Sequence, residues 1–248
     1  MVRTDDSSSP AHPAGSAPVR RTARAEDRSG REVPLRLQTV PDHGASASPR
    51  MFESDFVDAF SRVPFWVVPL VYLPVISISC YAAVAWEGIG VVGLAFAFGL
   101  GWVVWSLMEY WLHRTLFHWQ PNAPWGEQFH FVLHGVHHDW YRDRLRLVMP
   151  PAFSLVVGVI VFTSLTALGM ALGPVLDDAW VPATFAGIVF GYLVYDMVHY
   201  YVHHGKPRSA VLKALRAHHS KHHHNPRFHD KKFGVSMTVW DHVFGTYE

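Results

Sequence analysis

The chain has 248 residues, half of them hydrophobic, 17% charged, with a formal net charge of +1. That balance excludes a disordered, highly charged protein, gives no electrostatic case for a nucleic-acid partner, and suits a protein built into a membrane. The one cysteine, Cys80, lies in an apolar run, which excludes a disulfide framework.

Residues 1–50 are rich in Ser, Pro, Ala, Gly and Arg without apolar periodicity, and read as a disordered tail. Acidic residues interrupt the stretch and no apolar core follows its basic residues, so it does not read as a secretory signal. The first apolar run, 65–86, has 22 residues and no charge. At ~1.5 Å per residue a helix of that length crosses a bilayer core. Its Pro69 and Pro74 are tolerable in a membrane helix. Three more runs follow at 89–107, 153–172 and 180–195, the second leading to Glu109 and the fourth to Asp196. Short connections pair the runs into two helical hairpins, with tryptophans near their ends as interfacial aromatics should be.

All 21 Lys and Arg fall outside the two hairpins, whose tips carry only Glu87, Asp177 and Asp178. The positive-inside rule therefore places the N-terminus, the middle loop and the C-terminus together in the cytoplasm. Sixteen of the eighteen histidines lie between His113 and His242, all on that side.

The histidines come in four clusters. His113 and His118 follow the second run, and His134, His137 and His138 form an HGVHH string in the middle loop. His199 and His203 extend the fourth run, and His219, His222 and His223 form an HSKHH string. Residues three or four apart share a helix face, so each HxxHH triplet is expected to converge on one point. Ten imidazoles exceed the needs of one ion and could supply two ions with about five each. His130, His204, His218, His224, His229 and His242 stand outside the pattern. Glu109 and Asp196 each sit about one turn before a candidate ligand. They are expected to accept an N–H from a ligating histidine and fix its tautomer, with Asp241 a third residue of that kind.

Mainly nitrogen ligation suits Fe, Zn, Cu or Ni. No HExxH string supports zinc hydrolysis, and zinc does no redox chemistry. A transporter would place ligands at mid-membrane, whereas these runs hold no histidine before their cytoplasmic ends. Oxidation of an alkyl chain delivered by the membrane fits better, with iron as the metal.

The strings at 109–118, 129–151, 195–205, 212–224 and 233–246 resemble the fatty acid 2-hydroxylases of the fatty acid hydroxylase superfamily. The similarity covers about residues 52–248. The most specific parts are RLVMPP after the second cluster and the FGVS…WD…VFGT ending. The resemblance implies an all-α membrane domain over 51–248, with four transmembrane helices and a cytosolic helical cap. It implies a dimetal centre held by the ten histidines, and insertion of one oxygen atom of O2 beside the acyl carbonyl of a lipid. Eukaryotic relatives often carry an N-terminal cytochrome-b5-like donor. Residues 1–50 are too short for one, so a separate electron-donor protein is expected. Zinc is the alternative ion in purified protein, because the Irving–Williams order favours it over ferrous iron. A sterol, carotenoid or other lipid hydroxylase or desaturase is the alternative within the superfamily.

Overall fold

A bilayer core offers a backbone N–H or C=O no partner, so an apolar run that crosses it must satisfy those groups within itself. The apolar runs here accordingly form helices in the computed structural model, which describes residues 46–173 and 178–248. The tail read over residues 1–50 lies almost wholly outside the described residues, as does Asp177 at the second hairpin tip. No strand occurs among the described residues.

Helix α1 (Asp55–Phe60) is capped by the Ser54 hydroxyl, which accepts from the Val57 N–H. Helices α2 (Val67–Ala85), α3 (Val91–Trp111), α6 (Pro151–Leu172) and α7 (Val181–His204) are long and apolar enough to cross a membrane. Between them lie α4 (Gly126–His130) and α5 (Val136–Asp139), and after them α8 (Ala210–His224) and α9 (Val239–Val243). Helix α3 continues as a π-helix, Leu112–Phe117, and a second π-helix, Phe131–Gly135, joins α4 to α5. The RLVMPP string has a local reason. Pro150 is the N-cap of α6 and Pro151 its first residue, where a missing N–H leaves no bond unmade.

The most buried of the four long helices is α7, and α6 is the most exposed. Contacts run mainly between the two sequential helix pairs, with α7 packed on α3 and on α2. Small residues set the α3–α7 approach. A Cβ on Gly101 would strike the Thr184 carbonyl, and one on Gly187 would strike the Phe98 carbonyl. A Cβ on Gly191 would lie 2.6 Å from the Trp105 side chain. The pairing of 101 with 187 and of 105 with 191 makes α3 and α7 parallel. Without a hydrophobic force between helices in lipid, such close backbone packing drives their association. Tyr72 of α2 and Tyr192 of α7 meet edge to face at 4.9 Å, and Trp105 contacts Tyr192 and Tyr195. The consequence for function is that α3 and α7 end side by side, each extending a histidine-bearing turn past the bundle.

Candidate metal centre

All ten histidines singled out by spacing come together, in two groups of five. One holds His113, His118, His134, His138 and His222. The other holds His137, His199, His203, His219 and His223. Within each group the ligand atoms lie within 4.8 Å of one another. In the first group, Nε2 of His134 is 3.1 Å from that of His113 and 2.9 Å from that of His138, and His118 and His222 approach to 3.1 Å. In the second, Nε2 of His219 is 3.0 Å from those of His199 and His223 and 2.9 Å from that of His203. His137 closes the group at 3.0 Å from His199. The groups adjoin, with the His138 and His223 rings stacked 4.1 Å apart.

The expectation that each HxxHH triplet converges on one point is corrected by this arrangement. Each triplet divides between the groups. Successive residues on a helix turn by roughly 100°. His134 and His138, four apart, therefore share a face while His137 points to the neighbouring site. The C-terminal triplet does the reverse: His219 and His223 join His137, and His222 crosses to the other group. Each triplet thus ties the two sites together. The His113–His118 pair is five residues apart, a spacing an α-helix would splay. The π-helix over Leu112–Phe117, with its i→i+5 bonding, brings both onto one side.

Burial favours the neutral form, which offers a lone pair, in the rings that lie beyond the long helices. Burial, with the neighbouring His222, pushes His118 down to about 3, and burial pushes His222 down to about 4. The same cause holds His134, His137, His138, His219 and His223 well below the ordinary imidazole value.

Backbone carbonyls, rather than the expected carboxylates, meet the Nδ1 atoms of two of the rings, His113 and His222. His113 Nδ1 lies 2.5 Å from the Phe233 carbonyl, and His222 Nδ1 lies 2.8 Å from that of Lys231. An Nδ1–H donated there leaves Nε2 bare for a metal. Glu109 takes other partners than its spacing suggested. Its carboxylate accepts from the Val235 and Ser236 N–H groups at 2.8 Å and from the Ser236 hydroxyl. Asp196 accepts from the Tyr192 hydroxyl at 3.0 Å. Asp241 accepts from the Phe233 and Gly234 N–H groups, both at 2.9 Å, and from the Thr246 hydroxyl at 2.7 Å. Its one imidazole partner is His218, at 3.0 Å, outside both groups. Glu109 and Asp241 therefore hold the C-terminal segment whose carbonyls meet the His113 and His222 rings. The physical reason is that buried N–H groups of an irregular segment need acceptors, and a carboxylate supplies several at once. The role of Lys231 and Phe233 was invisible in the sequence, since any residue carries a carbonyl. The FGVS…WD string was its one trace.

The residues fit a metal centre by geometry and donor chemistry. The fatty acid hydroxylase family model matches residues 98–246. The chain is 40% identical over 202 residues to dihydroceramide fatty acyl 2-hydroxylase FAH2 of Arabidopsis thaliana, covering 80% of this chain and 79% of that one. It is 37% identical to the ceramide very long chain fatty acid hydroxylase SCS7 of Saccharomyces cerevisiae, covering 84% of this chain and 51% of that one. A solved structure of full-length scs7p, with only its hydroxylase domain visible, superposes with a TM-score of 0.72 at 34% identity, over 82% of this chain and 72% of that one.

The chain belongs to the fatty acid hydroxylase family. It is an integral-membrane oxidoreductase, a metal-using hydroxylase of lipid.

Two cavities share lining residues, and one of them borders the histidines. One of about 260 Å³ is lined by His134 of the first group, His137 and His199 of the second, and Arg146, Asp196 and Tyr195. A second, of about 110 Å³, lies among the long helices and is lined by Trp105, Leu116, Val157, Val161, Ile188 and Val189 among others, almost wholly apolar. Phe117, Met149, Phe153 and Tyr195 line both. Those four side chains stand between the apolar cavity and the one that the histidines line.

Proposed function

We propose that the enzyme hydroxylates a lipid acyl chain at the carbon next to its carbonyl, using O2 and electrons from a separate protein. The observation that carries this reading is the juxtaposition of two five-histidine groups with an apolar cavity among the long helices. His113, His118, His134, His138 and His222 would hold one ion, and His137, His199, His203, His219 and His223 the other. A redox metal pair there, iron on the chemistry required, would supply the activation of O2 that a C–H bond demands. Zinc would fill the same nitrogen sites without redox activity.

The chain's own residues bind, orient and exclude water. The apolar wall of Val157, Val161 and Val189 takes an alkyl chain out of lipid without exposing it to water. Phe117, Met149, Phe153 and Tyr195 separate that wall from the histidines and set the depth to which a chain enters. Family relatives named for ceramide and dihydroceramide support an amide-linked acyl substrate. Exposed Lys206, Arg208, Lys213, Arg216 and Lys221 lie on and before α8, which carries three of the ten histidines. That basic face suits an acidic electron donor approaching from the cytoplasm.

Lipid mass spectrometry on cells expressing the protein under labelled dioxygen tests the reading. A new acyl species carrying one labelled oxygen, fragmenting beside the carbonyl, is expected, and a His137→Ala/His222→Ala double variant should lack it. A labelled hydroxyl on a sterol or carotenoid would move the substrate elsewhere in the superfamily. No labelled lipid, with expression and a working donor in hand, would sink the reading.

A further inference from the structure

Lys232 stands between the two residues whose carbonyls meet imidazoles of one group. Lys231 before it reaches His222 Nδ1 at 2.8 Å, and Phe233 after it reaches His113 Nδ1 at 2.5 Å. Among the described residues Lys232 is also the only non-glycine residue with a positive φ, 61°. A residue with a Cβ seldom adopts that left-handed conformation, and where one does, the surroundings must hold it there.

The lysine side chain has the contacts to do so. Lys232 is 5% exposed, and a lysine is almost never so buried without partners. Its Nζ lies 4.7 Å from the centre of the Phe228 ring and 4.5 Å from that of the Tyr247 ring, and it donates to the Tyr247 carbonyl. An ammonium over aromatic rings and shielded from water is held more firmly than an exposed one. The backbone N–H of Lys232 donates to the Thr246 carbonyl at 2.9 Å. The Phe228 end of this clamp touches the site as well, since its carbonyl lies 3.3 Å from His222 Nδ1.

Rotation about φ of residue 232 turns the peptide that carries the Lys231 carbonyl against the chain that follows. An ordinary negative φ would swing that carbonyl away from His222 while Phe233 stayed on His113, or the reverse. We propose that Lys232 is a positioning residue for the group of His113 and His222. Its side chain, clamped by Phe228 and Tyr247, holds the left-handed turn that aims both flanking carbonyls at the two Nδ1 atoms and so leaves each Nε2 turned to the metal. The assignment rests on the reading of that group as a metal site.

The test uses the purified full chain loaded with Zn²⁺, with ions counted by elemental analysis and their release followed with a chelator. Wild type should hold two ions per chain and release both slowly. Lys232→Ala keeps the strained turn and removes the clamp, so one of its two ions should leave about tenfold faster and the other at the wild-type rate. Adding His134→Ala, which empties the group that Lys232 serves, should abolish the fast phase. Lys232→Gly takes up the left-handed turn without strain and should restore slow release, although it too lacks the clamp. Slow release of both ions from Lys232→Ala would overturn the assignment. Fast release of both, or loss of helicity, would overturn it too and make Lys232 a general structural residue. Release from Lys232→Gly as fast as from Lys232→Ala would show that the turn is not what positions the rings. Wild type holding fewer than two ions would overturn the two-site reading itself, and the Lys232 assignment with it.

Discussion

His137 and His222 occupy corresponding places, each the third residue on from the start of its triplet and each assigned to the opposite group. The reciprocal arrangement makes a sharp prediction about metal content. His219→Ala removes the imidazole at the middle of one group and should leave about one ion per chain, and His134→Ala should do the same for the other. Elemental analysis of the purified variants checks this. If either variant kept two ions, the division into two groups of five would be wrong. Asp241 is completely buried and collects hydrogen bonds from Phe233, Gly234, Thr246 and His218. Asp241→Ala leaves those donors unmatched, a loss on the order of 3 kcal/mol or more. A lower unfolding temperature in detergent is expected, together with weaker metal retention, because Phe233 no longer holds the His113 ring.

At the scale of the helix, the same string of residues serves the membrane and then the site. Helix α7 carries small residues where α3 passes, then Asp196, then His199 and His203 one turn apart. The glycines distinguish packing from mere composition. Gly187→Val drives side-chain atoms into the Phe98 carbonyl and should destabilise the bundle by about 1–3 kcal/mol or more. Gly99→Ala lies two positions from Gly101 on α3 yet meets nothing within 4 Å, so it should leave the unfolding temperature unchanged. Equal effects from the two substitutions would refute the close α3–α7 approach. Both metal groups should weaken in Gly187→Val, since α3 delivers His113 to one and α7 delivers His199 and His203 to the other.

For the molecule as a whole, orientation follows from where the charges are. All 21 Lys and Arg lie outside the four long apolar runs, and the connections 86–90 and 173–180 carry acidic residues alone. The N-terminus, the C-terminus and the histidines should then face the cytoplasm. A green fluorescent protein fused after Glu248 should fluoresce in a bacterial host, and alkaline phosphatase at the same place should be inactive. The opposite pair of results would reverse the orientation and remove the cytoplasmic electron donor from the scheme.

The sequence by itself determined the four apolar helices, the family and the ten histidines that gather. Each of these is carried by local signals: run length in a solvent without hydrogen bonds, and side chains whose chemistry is their identity. The tertiary structure alone decided how the ten divide, because a difference of roughly 100° between His137 and His138 matters only once a second site lies beside the first. It alone placed Glu109 and Asp241 on the C-terminal segment, with no ring of the two groups as partner, since a carboxylate's partner depends on which unpaired N–H groups the fold brings near. It alone showed the Lys231 and Phe233 carbonyls beside two of the imidazoles. A backbone carbonyl has no sequence signature, since every residue carries one.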